Sequence, residues 1–128
     1  MKTIIHTKKA PQPIGPYSQA VRFESFVFLS GQIAIDPATG KLKCDTIEAE
    51  TQQVMENIDA ILKSLNADCD QILKTTIFLR DMDDFASVNA VYGTFFDHNS
   101  APARETVQVA RLPKDVNVEI SCVVGLQT

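Results

Sequence analysis

The chain is short of the residues from which metal and thiol centres are built. Its two histidines, His6 and His98, lie far apart, and its three cysteines, Cys44, Cys69 and Cys122, are an odd number at wide spacing with no CxxC pair. That pattern excludes a disulfide framework and a histidine–cysteine zinc site, so reduced thiols and no metal are expected. No apolar run approaches the roughly 20 residues that span a bilayer. The lysine-bearing segment Met1 to Ala10 lacks the continuous apolar stretch of a secretory leader, so a soluble, cytoplasmic protein is the expectation. Basic residues are also outnumbered: twelve Lys and Arg against sixteen Asp and Glu give a formal net charge of −4 and a pI near 5.0. Such a surface disfavours a polyphosphate partner such as nucleic acid. No P-loop, GxGxxG or catalytic triad is present.

What remains is an ordinary globular composition, with 45% hydrophobic and 22% charged residues over 128 positions, enough for one domain spanning residues 1–128. Tyr17, Gln19, Val21 and Phe23 alternate with Ser18, Ala20 and Arg22; after Glu24-Ser25 comes the run Phe26 to Ile33. This predicts two strands joined by a tight turn, with Tyr17 at the start of the first. Asp36, Pro37 and Gly40 predict a further hairpin or loop. Between Asp45 and Leu65 the residues Ile47, Val54, Ile58, Ile61, Leu62 and Leu65 fall on one helical face. Asp45 and Glu48 resemble a capping pair, and Asn66 suits a left-handed stop.

Ile72 to Leu79 is rich in β-branched residues and predicts a strand. A second helix is expected from Asp83 or Asp84 to about Asn99, with Phe85, Val88, Val91, Tyr92, Phe95 and Phe96 inward. Pro113-Lys114-Asp115 then suits a turn between two antiparallel strands, Arg104 to Leu112 and Val116 to Leu126. In the second of these Val116, Val118, Ile120, Cys122 and Val124 share one face, and Asn117, Glu119, Ser121 and Val123 the other. The order predicts an α+β fold: a two-layer sandwich of a mixed β-sheet with two helices on one face. The other face then needs a cover, for which a second copy of the chain is the obvious candidate.

Four places carry polar groups or breaks that plain core packing would not choose. Arg104, after Ser100-Ala101-Pro102-Ala103, either holds a carboxylate with its planar fork or is a surface arginine paired with solvent or Glu105. Glu119 either faces water or sits in a partly closed cleft, where desolvation would raise its pKa and suit it to proton transfer. Gly31, within Ser30-Gly31-Gln32, marks a simple sheet irregularity or a close approach of ligand to backbone. Tyr17, delivered by Gly15-Pro16, either packs with a wet tip or touches ligand.

At these residues the chain resembles the reactive intermediate deaminase family, also called the YjgF family, over practically its whole length. The resemblance is carried by Ala10-Pro11, Ile14-Gly15-Pro16-Tyr17-Ser18-Gln19-Ala20, Ser30-Gly31-Gln32, Lys74-Thr75-Thr76, Asp84-Phe85-Ala86 and Val88-Asn89. Towards the C-terminus it continues through Pro102-Ala103-Arg104, Val109-Ala110-Arg111-Leu112-Pro113-Lys114-Asp115 and Val118-Glu119-Ile120. The resemblance implies a chorismate-mutase-like fold assembled as a homotrimer with ligand clefts between subunits. It implies hydrolysis of 2-imino acids or enamines, of the 2-iminobutanoate and 2-iminopropanoate type, to 2-keto acids and ammonia. Arg104 would bind the substrate carboxylate and Glu119 would manage water and protons. Tyr17, Ser30, Gly31 and Asn89 would shape the pocket, together with Thr106, which stands where many relatives carry cysteine. Ser121 likewise stands where many have a second glutamate.

An imine carbon is already electrophilic, so this chemistry requires no cofactor. Two rival readings use the same residues or the same family: a non-catalytic module that binds a small carboxylate, and an RNA-directed endoribonuclease or translation inhibitor. The acidic pI and the absence of a histidine pair, or of basic residues interleaved with aromatics, stand against the second.

Overall fold

The computed structural model describes residues 1–127. Its elements are β1 (Thr3–Ile5), β2 (Ala20–Phe23), β3 (Phe26–Gln32), α1 (Ile47–Lys63), β4 (Ile72–Leu79), α2 (Phe85–Tyr92), β5 (Ala103–Gln108) and β6 (Val118–Gly125). They form a mixed six-stranded sheet in the order β1-β2-β3-β6-β4-β5, in which only β4 and β5 pair in parallel. The core lies between this sheet and the helices. It receives Val54, Met55, Ile58, Ile61 and Leu62 from α1 and Val118, Ile120, Cys122 and Val124 from β6. The fold is therefore the expected α+β arrangement, and the alternation read from the last strand holds residue by residue.

The expected pairing of the two C-terminal strands does not hold. β5 and β6 run in opposite directions, but β4 lies between them and bonds to both. Leaving α2, the chain crosses over to the far edge of β4 and runs parallel to it, which leaves the other side of β4 open. Residues 109–117 then carry the chain back across to that vacancy. Alternation reports which face a side chain takes, and it is silent on which strand lies beside it.

Local chemistry explains the other differences. The N-cap of α1 is Thr46, with extended φ of −135° and Oγ1 accepting from the Ala49 N–H at 3.0 Å, so Asp45 lies just outside and Glu48 is in the first turn. Asn66 adopts the left-handed φ of 55° expected of it, and the Ala67 N–H closes onto the Leu62 carbonyl at 3.0 Å. α2 ends at Tyr92, well short of Asn99. The chain tightens into a turn over Gly93–Phe95, and the Asp97 carboxylate then takes the Asn99 N–H at 2.9 Å in competition with helix continuation. Tyr17 precedes the strand that was expected to begin with it, since β2 starts at Ala20, and β1 was not foreseen.

Two buried polar residues tie the layers together. The Glu50 carboxylate, inaccessible to solvent, accepts from the N–H groups of Asn117 and Val118 at 2.7 and 3.0 Å and from the Asn117 side chain at 2.8 Å. Asn57 donates to the carbonyls of Ile33 and Ile35, fixing the loop after β3. On the face away from the helices Phe23, Phe26, Phe28, Leu73 and Val107 are each 40–50% exposed, apolar surface interrupted by the Lys74–Glu105 ion pair. No described helix is long and apolar enough to cross a membrane.

Candidate active site

Glu119 is placed by alternation. Its neighbours Val118 and Ile120 point into the core, so its carboxyl emerges on the opposite face of the sheet. There β3 is irregular: its register with β6 shifts between Leu29 and Gln32. Gly31 lies in that shift, and a Cβ at this position would fall 2.7 Å from Cδ and Oε2 of Glu119. Gly31 is thus the sheet irregularity read from the sequence, and the group that closes on its bare backbone is the Glu119 side chain. The residue is required for space; its φ lies outside the left-handed region. Glu119 is half-buried, and burial alone pushes its carboxyl above the usual range.

The cavity over Glu119, about 470 Å³, is walled by the N-terminal segment, by Tyr17, Ser30 and Gly31, and by the loop carrying Pro113 and Lys114. Gln19, almost fully buried, holds the first wall. Its Oε1 accepts from the Thr7 N–H at 2.7 Å, and its Nε2 donates to the carbonyls of Thr7, Ala10 and Pro11. Ser30 Oγ donates to the Ser18 carbonyl at 2.6 Å. The opposite wall is strained: Lys114 and Asp115 both have φ of 55°, a conformation non-glycine residues rarely adopt twice in succession. Arg111 steadies it with a fork onto the Asp115 carboxylate at 2.7 and 3.3 Å.

Arg104 lies elsewhere. In β5 it stands beside Thr75 of β4 and projects to the helix side, where Nη1 donates to Asn89 Oδ1 at 2.6 Å. Its guanidinium carbon lies 5.1 Å from the Tyr92 ring centroid and 5.5 Å from that of Phe85. Glu105, the surface partner weighed for it, faces the other way and binds Thr76 at 2.8 Å and Lys74 at 3.1 Å, contacts that hold its carboxyl below the usual range. A cavity of about 530 Å³ opens here, lined by Asn89, Tyr92, Phe96, His98, Ala101 and Arg104. Thr106 follows on the same face of β5. Its Oγ1 is buried without a hydrogen-bond partner among the described residues. Chemically, one cavity offers a desolvated carboxyl able to hold or release a proton, and the other an arginine fork able to grip a carboxylate.

A family profile described as Endoribonuclease L-PSP matches residues 7–125. A RutC family protein of Synechocystis sp. is 50% identical over 126 residues, covering 98% of this chain and 97% of the relative. A protein of Salmonella typhimurium named 2-iminobutanoate/2-iminopropanoate deaminase is 47% identical over 125 residues, covering 96% and 97%. Among solved structures, E. coli TdcF with bound serine superposes with a TM-score of 0.91 at 43% identity, covering 98% of this chain and 99% of that one. The chain belongs to the reactive intermediate deaminase (YjgF) family.

In this family member the seven site residues singled out in the sequence divide into two groups. Tyr17, Ser30, Gly31 and Glu119 share one cavity, and Asn89 and Arg104 share the other, with Thr106 on the same strand face as Arg104. Phe85 and Tyr92 keep the inward placement read from the sequence, Tyr92 buried in the core and Phe85 packed against it, and their rings also lie against Arg104, while His98 stands in the wall of the Arg104 cavity. One signal was available for the rings: Phe85, Asn89 and Tyr92 are spaced by four and three, one stripe of a helix with a polar residue in its middle. All three cysteines are free thiols, and burial pushes them up to about 11 at Cys44 and Cys69 and about 12 at Cys122, where no nucleophilic thiolate forms near neutral pH.

Proposed function

We propose that this protein hydrolyses 2-imino acids and their enamine tautomers, of the 2-iminobutanoate and 2-iminopropanoate type, to 2-keto acids and ammonia. The observation that carries the reading is the Glu119 carboxyl, half-buried against Gly31 in a cavity and with its pKa raised by that burial. Water adds to the carbon of the protonated imine and gives one proton to the Glu119 carboxylate, leaving an amino alcohol. Glu119 passes that proton to the nitrogen, the carbon–nitrogen bond breaks, and the hydroxyl gives up its remaining proton to the Glu119 carboxylate as the carbonyl of the keto acid forms; the departing ammonia then takes that proton. A carboxyl poised above its ordinary range suits both halves of this cycle. Arg104 grips the carboxylate next to the reacting carbon. The deaminase name of the Salmonella relative supports the reaction, and the serine held by TdcF carries the same α-carboxylate.

In one chain Glu119 and Arg104 lie on opposite faces of the sheet, each in the wall of a separate cavity. We therefore assign the complete site to a cleft between neighbouring copies in a homotrimer, one supplying the arginine and the next the carboxyl. The apolar surface on the open face supports such an assembly. An amino-acid oxidase or a pyridoxal-dependent dehydratase that releases imines, followed for keto-acid formation, tests the reaction; hydrolysis no faster with the protein than without it rules the reading out. Co-refolding inactive Arg104→Ala chains with inactive Glu119→Gln chains tests the shared cleft. Restored turnover is expected, and persistent inactivity in a mixed oligomer of correct mass would place both groups in one chain's site.

A further inference from the structure

Arg104 sits in a built cradle, and the cradle fixes which of its edges is free. Phe85 and Tyr92 are seven residues apart on α2, about 10 Å along the axis at 1.5 Å per residue. The guanidinium, 5.5 Å from one ring and 5.1 Å from the other, is within cation–π reach of both. Asn89, between the two on the same stripe, takes a hydrogen bond from Nη1 at 2.6 Å. Tyr92 is itself immobilised. It is almost fully buried, its hydroxyl is 2.7 Å from Oγ1 of the buried Thr75, and its ring lies 4.8 Å from that of Phe96. Thr75 is also the strand neighbour of Arg104, so ring and guanidinium are referenced to the same point of the sheet. Among the described residues neither Nε nor Nη2 has an acceptor, and these two donors form one complete fork.

We propose that Phe85 and Tyr92 are positioning residues that hold the guanidinium by cation–π contact while Asn89 occupies Nη1, so that the Nε–Nη2 edge is presented ready-made to the substrate carboxylate. The proposal rests on the reading of Arg104 as carboxylate anchor. An unrestrained arginine would have to surrender rotamer freedom on binding, whereas a clamped one has done so in advance.

Phe85→Leu keeps bulk and removes the π-face; Phe85→Tyr keeps both. With 2-oxobutanoate as the carboxylate probe, calorimetry should show affinity lowered about two- to fivefold in Phe85→Leu, the range of a single exposed cation–π contact, and parent affinity in Phe85→Tyr. kcat for imine hydrolysis should change less than KM, since the anchor acts equally on ground and transition states. In an Arg104→Ala background Phe85→Leu should add nothing, because a ring that works through the guanidinium has nothing left to hold. An independent readout is the Arg104 Nε–H resonance, expected to be shifted by the ring currents in the parent and to relax towards the free-arginine position in Phe85→Leu. Parent affinity in Phe85→Leu, an undiminished effect of it in the Arg104→Ala background, or an unshifted Nε–H in the parent each overturns the proposal. Parent affinity in Arg104→Ala itself would instead remove the carboxylate reading, and this inference with it.

Discussion

The Glu119 carboxyl is set against bare backbone, and the Arg104 guanidinium against side chains. At Glu119 the decisive neighbour is a glycine, and the walls are chain segments tied by carbonyl and amide groups to Gln19 and Ser30. At Arg104 the decisive neighbours are two aromatic rings and an amide on one helical stripe. The reacting atoms need a fixed separation from water and proton, which rigid strands supply. The carboxylate needs a donor fork of fixed orientation on a flexible side chain, which stacking supplies. The first region should therefore be intolerant of added volume, and the second of lost charge and lost ring faces.

The hardest blow to this contrast is Arg104→Ala. Arg104 is exposed in the single chain and is enclosed only in the proposed cleft; there, losing one partner of a buried charge pair costs about 2–5 kcal/mol, so kcat/KM should fall roughly 30-fold to several-thousand-fold. Arg104→Lys should recover little, because an ammonium lacks the fork. Steady-state imine hydrolysis, with oligomer mass checked in each variant, reads the result; near-parent turnover would return Arg104 to a surface role. Next is Gly31→Ala. Its methyl would fall 2.7 Å from the Glu119 carboxyl, and displacing a catalytic group by about 1 Å can cost roughly 100-fold. Here kcat should fall with 2-oxobutanoate affinity preserved, the opposite split from the Arg104 side. Unchanged kcat would show that Glu119 moves aside without consequence.

A smaller effect is expected on stability. Burial raises the Glu119 pKa in the folded chain above its ordinary 4.5. Between that value and the raised one the folded state keeps a proton that the unfolded chain has released, so stability falls as pH rises through this window and stays lower above it. Glu119→Gln escapes the loss. Its Tm should exceed the parent's at neutral pH, and the two should converge once the pH drops below about 4.5. Equal melting curves at both pH values would mean that the carboxyl carries no desolvation penalty.

The smallest effect concerns Thr106. Its hydroxyl is buried without a partner, so Thr106→Val should stabilise by about 1 kcal/mol and leave turnover near the parent's. Thr106→Ala should likewise retain most activity. A loss of turnover with the fold intact would assign the hydroxyl a role in the reaction.

Much of this is legible in the sequence. The alternation of Val118 to Val124 placed Glu119 on the face away from the core, the stripe from Val54 to Leu62 placed α1, and the β-branched run Ile72 to Leu79 matched β4 in full. What was missed depends on contacts distant in sequence. Asp45 and Thr46 are both good caps, and only backbone geometry chooses between them. Tyr17 alternates with the residues after it by coincidence, since Gly15 and Pro16 hold it in a loop. The facing of Arg104 was not legible in this way: β5 shows no alternation of burial, so the helix-side position of Arg104 is fixed by its pairing with Thr75 of β4, a neighbour that no local pattern names.

That placement of β6 also bears on how the molecule is made. β6 follows every other strand in the chain and occupies the middle of the sheet, bonded to β3 on one side and β4 on the other. During synthesis β3, α1, β4 and β5 leave the ribosome with two facing strand edges open, and the partners that Glu50 of α1 awaits, at Asn117 and Val118, are 67 and 68 residues downstream. Such long-range closure is slow and leaves unpaired edges exposed to other chains. Until residues 118–125 are made, the sheet lacks its central slat, and the facing edges of β3 and β4 have no partner.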